Sequence, residues 1–415
     1  MNNRDAIFVI ESLRSGIPTR RSTRLLPDIR ESVSSQIISD LTCFDDNIIP
    51  AGRIIWGQYG QGKTHALTAI EHLALDRNFA VSRISLSREV SCHNLFHFYS
   101  QIAPRVKTPE STLEGIQHHL NRMQPAEIGQ SVLFSEDRYV NALPLQVLDD
   151  YYFAEGEDKE KLYGDLMGTR LPVSELGRIH RVIKGSALPK FKFKVTEHTS
   201  AYFGLLADLI QLCGFEGWVI LIDEVELIGR LGKISRYKAY RNLNWLLNWQ
   251  GTMKYPVYTI AAAATRLQDD LWYGKANDDR TVMPELAQMR FGDEAACEME
   301  HFFTRAIDDA ALKILPAQQS DLIELLDAIT RLHGEAYQWS ASLSSSNLIN
   351  QLGAQPVRTY IRAALEYLDL EYLYGQTLVP ETDRLMEADL TETGEEEPDF
   401  ETKEQQDDNP GYTQA

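Results

Sequence analysis

The segment Gly57–Thr64 has residue types and a spacing that can hold a phosphate group. It fits the pattern G-x-x-x-x-G-K-[ST], in which glycines let the backbone wrap around phosphate oxygens with its N–H groups pointing at them. Lys63 is expected to bridge the β- and γ-phosphates of a nucleotide, and Thr64 to hold Mg²⁺. The alternative interpretation is a glycine-rich turn before a helix. The predicted nucleotide-binding residues are Gly57, Gln58, Tyr59, Gly60, Gln61, Gly62, Lys63, Thr64 and His65.

Two adjacent carboxylates, Asp223 and Glu224, follow the apolar run Val219–Ile222. A parallel strand covered on both faces reads as a continuous apolar run, and its carboxyl end faces the ligand crevice. We expect Asp223 to hold Mg²⁺ through water and Glu224 to polarise the attacking water. An adjacent glutamate is typical of ATPases that activate water, whereas small-molecule kinases and GTPases generally lack it there. The alternative is an acidic strand end that caps the next helix, and Glu226 is interpreted as a neighbour without a role.

Three further side chains could respond to the γ-phosphate. Thr265 follows the apolar strand Val257–Ala263 and is the candidate for the sensor 1 role, although a simple strand-end threonine fits as well. Arg290 falls where an arginine finger would stabilise the phosphoryl group of a neighbouring subunit, and a surface salt bridge is the alternative. Arg358 begins the last helix and matches a sensor 2 arginine that reports the nucleotide state to a helical lid. Arg362 lies one turn on and competes for that role.

The elements that must position these residues form an α/β pattern. Arg53–Trp56 reads as a strand that runs into the phosphate-binding loop, Thr64–Leu75 as the helix after it, and Phe79–Leu86 as a second strand. This β-loop-α-β order is the nucleotide-binding start of a parallel sheet flanked by helices. The strands before Asp223 and Thr265 are expected to join the same sheet.

The chain is long enough for two or three domains, and its 415 residues divide by composition. About 160 residues lie between Thr64 and Asp223, more than a minimal core of this kind holds. Thirteen acidic residues between Glu381 and Asp408 predict a disordered tail. The predicted segments are a helical lead-in to the core (1–50), the first part of the core (51–94), a helical insertion (95–200), the second part of the core (201–295), an all-helical lid (296–378) and the acidic tail (379–415).

The net charge of −19 is unfavourable for non-specific DNA binding, which needs clustered Lys and Arg side chains. Two basic stretches, Arg14–Arg30 and Arg178–Lys194, are the exceptions, and a solvated basic face is the alternative for the first. No apolar run approaches the length of a membrane span, so no membrane association is expected. Four widely separated cysteines indicate a reducing, cytoplasmic setting.

Two weaker patterns remain. His93 and His97 are spaced to share one helix face, but no further metal ligands lie nearby at a suitable spacing. Trp245–Trp249 could stack on unpaired bases, yet a buried helix face behind Asp223 is the favoured interpretation.

In this order, these residues resemble the AAA+ superfamily in its Orc-like style, which has a Pro-x-x-Arg-Glu helix before the phosphate-binding loop (here Pro27, Arg30 and Glu31). The resemblance implies an AAA+-type P-loop core with a C-terminal helical lid. The segments Ile10–Pro18, Trp56–His65 and Leu221–Glu226 are also similar to the BREX-type ATP-binding protein family that includes BrxC and BrxD, and the length is similar to the shorter, BrxD-like member. That likeness implies a bacterial anti-phage defence complex in the cytoplasm, with a methyltransferase, a helicase or related subunits as partners.

The sequence therefore favours an ATPase that binds ATP and Mg²⁺ between the core and the lid, with Lys63, Glu224, Thr265 and Arg290 as the catalytic residues and Arg358 as a nucleotide contact. One rival is a regulatory scaffold in which ATP holds a complex together and turnover is incidental. Phosphorylation of a small molecule is the other rival, and the Asp223–Glu224 pair argues against it. Association with double-stranded DNA and assembly into a homo-oligomer stay open.

Overall fold

The structure is a computed structural model that describes residues 3–16, 19–109, 111, 113–123, 138–190, 195–249, 255–274 and 278–375. The predicted acidic tail lies outside the described residues, and so does Lys194 in the second basic stretch. The side chain of Arg20 is outside them as well.

A parallel sheet of five strands, in the order β2-β3-β4-β1-β5, forms the centre of the described chain. Strands β3 and β4 are buried along their whole length because both faces of the sheet are covered. Gly57 pairs with Ala264 and Ser85 with Asp223, so the carboxyl ends of β1 to β4 meet at one edge. The strands are β1 Arg53–Gly57, β2 Ala80–Ser85, β3 Trp218–Asp223, β4 Val257–Ala264 and β5 Ala311–Lys313.

Helices α3 and α4 cover one face of the sheet. Ile37 of α3 and Leu67 of α4 pack in one cluster with Val219 and Leu221 of β3. The helix that follows the phosphate-binding loop therefore lies directly against the strand that ends in Asp223. The helices before the second strand are α1 Asn3–Ser15, α2 Arg20–Leu25, α3 Glu31–Thr42 and α4 Lys63–Asp76.

The helices of the insertion, together with the helices directly before and after β3, pack on the other face and share one apolar core with the sheet. Phe203 stacks on Trp218 of β3 with ring centroids 5.8 Å apart. Trp249 is buried beside Trp245, and its indole N–H donates to Thr259 of β4 at 3.0 Å, which agrees with the favoured reading of a buried face. The helices are α5 Leu95–Ile102, α6 Gln117–Leu120, α7 Leu143–Phe153, α8 Gly156–Leu166, α9 Val173–Lys184, α10 Val195–Leu212 and α11 Lys233–Leu246.

The chain after residue 295 is not all-helical, because β5 adds a fifth strand beside β1. Helix α13 before β5 also belongs to the core, where Phe302 and Phe303 pack around Trp272. The separate lid core therefore begins only after β5. The helices are α12 Asp279–Phe291, α13 Asp293–Ile307, α14 Gln319–Tyr337, α15 Ser345–Leu352 and α16 Val357–Tyr374.

The first helix packs on the lid. Val9 and Ile10 of α1 are buried in one cluster with Leu326 and Ile329 of α14, and this cluster is separate from those on the sheet. Arg14 donates to Asp369 of α16 at 3.1 Å and joins α1 to α16. The lid is thus built from both ends of the described chain.

With the helical lid after β5, the predicted α/β class is confirmed: a parallel sheet flanked by helices. All four cysteines are free. Among the residues the structure describes, no helix combines the length and the apolar composition needed to cross a bilayer.

Candidate nucleotide-binding site

The loop between β1 and α4 has backbone angles that depend on glycine. Gly60 and Gly62 have φ of 78° and 93°, in the left-handed region where side chains other than glycine are strained. Gly62 is the N-cap of α4, and no side chain caps the helix there. The first amides of the helix and the positive end of its dipole therefore face the loop, an arrangement that favours an anion.

The ammonium group of Lys63 lies folded over this loop. It donates to the carbonyl oxygens of Gly57 at 3.1 Å and Gln58 at 3.2 Å, and the residue is buried. The amide oxygen of Gln61 accepts from the backbone N–H of Gln58 at 2.8 Å and closes the loop. The loop thus holds a positive charge close to the amides that would contact phosphate.

The two carboxylates leave the sheet together at the end of β3. Asp223 is buried; its Oδ1 accepts from the backbone N–H of Glu224 at 3.0 Å, and its Oδ2 lies 3.3 Å from the guanidinium of Arg83. Glu224 has φ 58° and ψ 39°, a left-handed conformation that turns the chain sharply off the strand. Its side chain is exposed beside the loop.

Desolvation and the neighbouring charges act together on Glu224. The residue is exposed, but neighbouring protein atoms partly desolvate its carboxyl, and this desolvation raises the pKa of Glu224 above its ordinary value. Asp223 and Glu226 raise the pKa further, and Lys63 and Arg230 oppose the rise. A base with a raised pKa accepts a proton from water more readily, provided that it is ionised at the working pH.

Both carboxylates and Lys63 line a single cavity of about 280 Å³. Its walls come from three places: the phosphate-binding loop, the end of β3, and the N-terminal segment with the lid. Tyr59 and His65 also reach it, and the pKa of His65 is lowered, chiefly by burial. The lining from the two chain ends is mostly apolar and includes Leu13, Leu26, Ile29, Leu325, Val357 and Ile361.

Arg358 of the lid lines this cavity, whereas Arg362 does not. The guanidinium of Arg358 lies against Gly16, where a Cβ would stand 3.0 Å from its Cζ. Its Nε is buried and makes no hydrogen bond among the described residues. Of the two arginines considered for the sensor 2 role, the geometry therefore favours Arg358.

Arg30 is a cavity residue that the sequence analysis did not assign to the site. Its guanidinium donates to the carbonyl oxygens of Gln61 at 2.7 Å and Leu315 at 3.2 Å, so it fastens the N-terminal segment to the phosphate-binding loop. The residue is 8% exposed, its Nε has no partner among the described residues, and burial lowers its pKa. The Pro-x-x-Arg-Glu resemblance was the available signal.

Glu226, interpreted from the sequence as a neighbour without a role, makes a structural contact at the site. Its Oε2 accepts from the backbone N–H of Ala264 at 2.9 Å, and the residue lines the cavity. Glu226 therefore joins the turn after β3 to the end of β4, directly before Thr265.

Four predicted residues lie outside the cavity lining. Gly57 and Gln58 begin the loop, and their carbonyl oxygens accept from Lys63. The other two are Thr265 and Arg290. Thr265 follows β4 beside β1, and its backbone N–H donates to Gly57 at 3.2 Å. Arg290 is exposed in the last turn of α12. The predicted finger would act on a neighbouring subunit, so the exposure of Arg290 is compatible with that role, which stays a prediction.

The donor set fits ATP and Mg²⁺. The glycine cradle, the buried ammonium of Lys63 and the unpartnered Nε atoms of Arg30 and Arg358 suit a polyphosphate, and the Thr64 hydroxyl with Asp223 supplies the hard oxygen ligands that Mg²⁺ prefers. Within the described ranges, this site included, no group of three or more His, Cys, Asp or Glu side chains is placed to hold a metal, so the protein would supply few of the ligands of a bound Mg²⁺.

Comparison with known proteins gives a matching family and similar solved structures. A family model described as BREX system ATP-binding protein BrxC/D matches residues 1–124 and 190–363. The structure of the Aeropyrum pernix ORC2 protein (ADPNP-ADP complexes) is similar with a TM-score of 0.36 and 11% sequence identity, over 86% of this chain and 66% of that chain. The chain thus spans just under two thirds of the length of that structure. Comparison with curated proteins found no match.

Proposed function

The chain belongs to the BREX system ATP-binding protein BrxC/D family, and from this membership and the cavity we propose that it is an AAA+-like P-loop ATPase. It binds ATP with Mg²⁺ and hydrolyses it, and turnover drives a conformational change in a cytoplasmic anti-phage defence complex. Its partners are the other proteins of that system, such as a methyltransferase or a helicase.

One observation carries the proposal: Lys63, Asp223 and Glu224 line the same cavity as Arg358 of the lid. A glycine-rich turn that binds no ligand would not need two carboxylates, the N-terminal segment and the lid around it. The apolar residues from α1, the segment before α3 and the lid offer a surface for a nucleotide base, while the loop offers amides for its phosphates.

Each polar side chain of the site has a separate role in the proposed hydrolysis. Lys63 leaves the carbonyl oxygens of its own loop for phosphate oxygens, and Thr64 and Asp223 hold the metal. Glu224 accepts a proton from the attacking water. Bound ATP and Mg²⁺ supply the reactive phosphoanhydride and the cation that offsets its charge. Thr265, at the end of the neighbouring strand, is proposed to orient the water.

The conformational change is proposed to pass through the lid. Arg358 lies on α16, and α16 shares a core with α1. A change in the phosphates that Arg358 contacts would therefore shift a unit built from both chain ends. This unit adjoins the core through Arg30, which is bonded to the phosphate-binding loop.

DNA association is the part of the proposal that rests on resemblance alone. Several of the basic side chains considered for it are paired with carboxylates within the chain, so DNA contact there would require phosphates to replace these partners. Binding of duplex DNA at low salt that falls steeply with added salt would support it, and no binding at low salt would remove it. The pairs are Arg14–Asp369, Arg21–Asp5, Arg24–Asp76, Arg178–Asp158 and Lys184–Asp149.

The test separates binding from turnover. Lys63→Ala should abolish ATP binding, whereas Glu224→Gln should bind ATP like the unmodified protein and lose hydrolysis. Binding is measured by calorimetry and turnover by phosphate release, alone and with duplex DNA. The exposed Lys233→Ala and Glu216→Gln are the matched controls and should change neither.

A Glu224→Gln protein that hydrolyses ATP at the unmodified rate would overturn the catalytic assignment. Negligible turnover by the unmodified protein with DNA and partners present would favour the regulatory scaffold instead.

A further inference from the structure

Arg83 on β2 lies between the phosphate-binding helix and the Asp223 carboxylate. One guanidinium nitrogen, Nη2, donates to the carbonyl oxygen of Thr64 at 3.2 Å and to Asp223 Oδ2 at 3.3 Å. The other, Nη1, donates to the hydroxyl of Thr68 at 2.7 Å. A single planar group thus contacts both residues proposed to hold Mg²⁺.

The guanidinium is itself held in place. The Thr68 hydroxyl that accepts from Arg83 also donates to the carbonyl oxygen of Thr64 at 2.9 Å. Arg83, Thr68 and Thr64 thus form a closed set of hydrogen bonds at the first turn of α4. Glu71 of α4 lies 3.7 Å from Arg83 and pairs with Lys107 at 3.0 Å. The Arg83 side chain is 20% exposed between the buried carboxylates of Glu71 and Asp223.

Arg83 is not part of the cavity lining, so its effect must pass through the residues it contacts. We propose that Arg83 is a positioning residue of the metal site, which fixes the Asp223 carboxylate relative to the turn of α4 that carries Thr64. This inference rests on the proposed function, because it assumes that Thr64 and Asp223 hold Mg²⁺. Groups that orient metal ligands typically set metal affinity by about 10–100-fold.

A positioning role for Arg83 and a purely electrostatic role predict opposite changes in Mg²⁺ affinity for Arg83→Gln. A positive charge beside the site repels Mg²⁺, so if charge dominated, Arg83→Gln would bind Mg²⁺ more tightly and Arg83→Lys would be unchanged. If Arg83 acts by position, both substitutions weaken Mg²⁺ binding, because neither side chain can span Thr68, Thr64 and Asp223 as the planar fork does.

The experiment measures binding of AMP-PNP to the full chain as Mg²⁺ is titrated, and again in EDTA. For Arg83→Gln and Arg83→Lys we expect the Mg²⁺ concentration at half-maximal binding to rise about tenfold, with affinity in EDTA unchanged. Thr68→Val, which removes one hydrogen-bond partner of Arg83 and no charge, should shift the titration in the same direction but less. Arg77→Gln, at the far end of α4, is the charge-matched control and should not shift it.

A lower Mg²⁺ requirement in Arg83→Gln, or unchanged titrations in both Arg83 variants and Thr68→Val, would overturn the positioning role. That result would leave the proposed function intact as long as the unmodified protein binds AMP-PNP in a Mg²⁺-dependent way. If the unmodified protein bound no AMP-PNP, the proposed function and this inference would fall together. An AMP-PNP affinity in EDTA equal to that of the unmodified protein shows that a variant is folded.

Discussion

Glu224 adopts a backbone conformation that a side chain other than glycine seldom takes. Its φ of 58° costs about 1–2 kcal/mol relative to the right-handed region. The turn that follows is held by Glu226, which accepts from the end of β4, and by the hydrogen bond from the Glu224 N–H to Asp223. Backbone strain that is held by such contacts is common at functional sites. Here the left-handed conformation turns the Glu224 side chain away from the direction of β3.

The raised pKa of Glu224 predicts the pH dependence of hydrolysis. The carboxyl must be ionised to accept a proton, so turnover should fall as the pH decreases through a pKa above the ordinary glutamate value. Glu226→Gln removes one negative neighbour while its amide oxygen can still accept from Ala264. The midpoint of the acid limb, measured as kcat/KM against pH because that ratio reports the free protein, should therefore move to lower pH in this variant. A midpoint that stays in place or rises would contradict the electrostatic argument, and the exposed Glu216→Gln serves as the control.

Gly16 lets the Arg358 guanidinium reach the cavity. Gly16→Ala would place a Cβ against this group and displace it, in a backbone with φ 68°. We expect ATP affinity to fall roughly fivefold, equivalent to about 1 kcal/mol. Gly185→Ala is a close control, because Gly185 has φ 69° and nothing within 4 Å of an added Cβ. It should cost similar stability and leave ATP affinity unchanged; equal losses of affinity in both variants would show that backbone strain alone is responsible.

At the scale of elements, the first helix belongs to the lid core. Ile10 is fully buried against the lid, whereas Ile7 on the same helix is 37% exposed. Ile10→Ala should lower the free energy of unfolding by about 2–5 kcal/mol through lost burial and a cavity. Ile7→Ala should change it by no more than about 0.5 kcal/mol. Denaturant unfolding of both variants checks this, and a matching small effect at both positions would mean that α1 does not stabilise the lid.

The elements that the sequence predicted best are those with continuous apolar runs. The strands β3 and β4 were found from their buried aliphatic residues, because both faces of a central parallel strand are covered. The edge strand β5 could not be predicted, since Ala311 and Leu312 are only partly buried, Lys313 is exposed, and the three residues form no alternation or apolar run. A short edge strand is defined by its partner β1, which the local sequence does not encode.

For the whole molecule, the parts of the site that lie in short motifs could be predicted, whereas the side-chain contacts between distant segments could not. The loop, Asp223 and Glu224 follow from spacing and from strand ends that meet in a parallel sheet. The contacts of Gly16 with Arg358 and of Arg30 with Gln61 join residues far apart in sequence. Such pairings depend on how α1 and the lid pack together, and no short pattern specifies them.

Arg290 raises the question of whether one chain is sufficient for hydrolysis. It is exposed at the end of α12 and does not line the cavity of its own chain, so any contact it makes with a phosphoryl group must be in a neighbouring copy. Arg290→Ala should then reduce turnover on the order of 10³-fold while AMP-PNP binding is unchanged. The exposed Arg280→Ala on the same helix should keep turnover, because Arg280 donates to Tyr273 of its own chain.

A mixture of two inactive variants separates a finger from a surface salt bridge. Glu224→Gln chains retain Arg290 but lack the base, and Arg290→Ala chains retain the base, so a mixed assembly contains sites that have both. Turnover of the mixture should therefore exceed the sum of the separate proteins, and it should rise with total protein concentration as the copies associate. The finger role would be contradicted if the turnover of the mixture equals the sum of the two separate rates, or if Arg290→Ala is as active as the unmodified protein. Each chain would then complete its own site, and Arg290 would be a surface residue without a catalytic role.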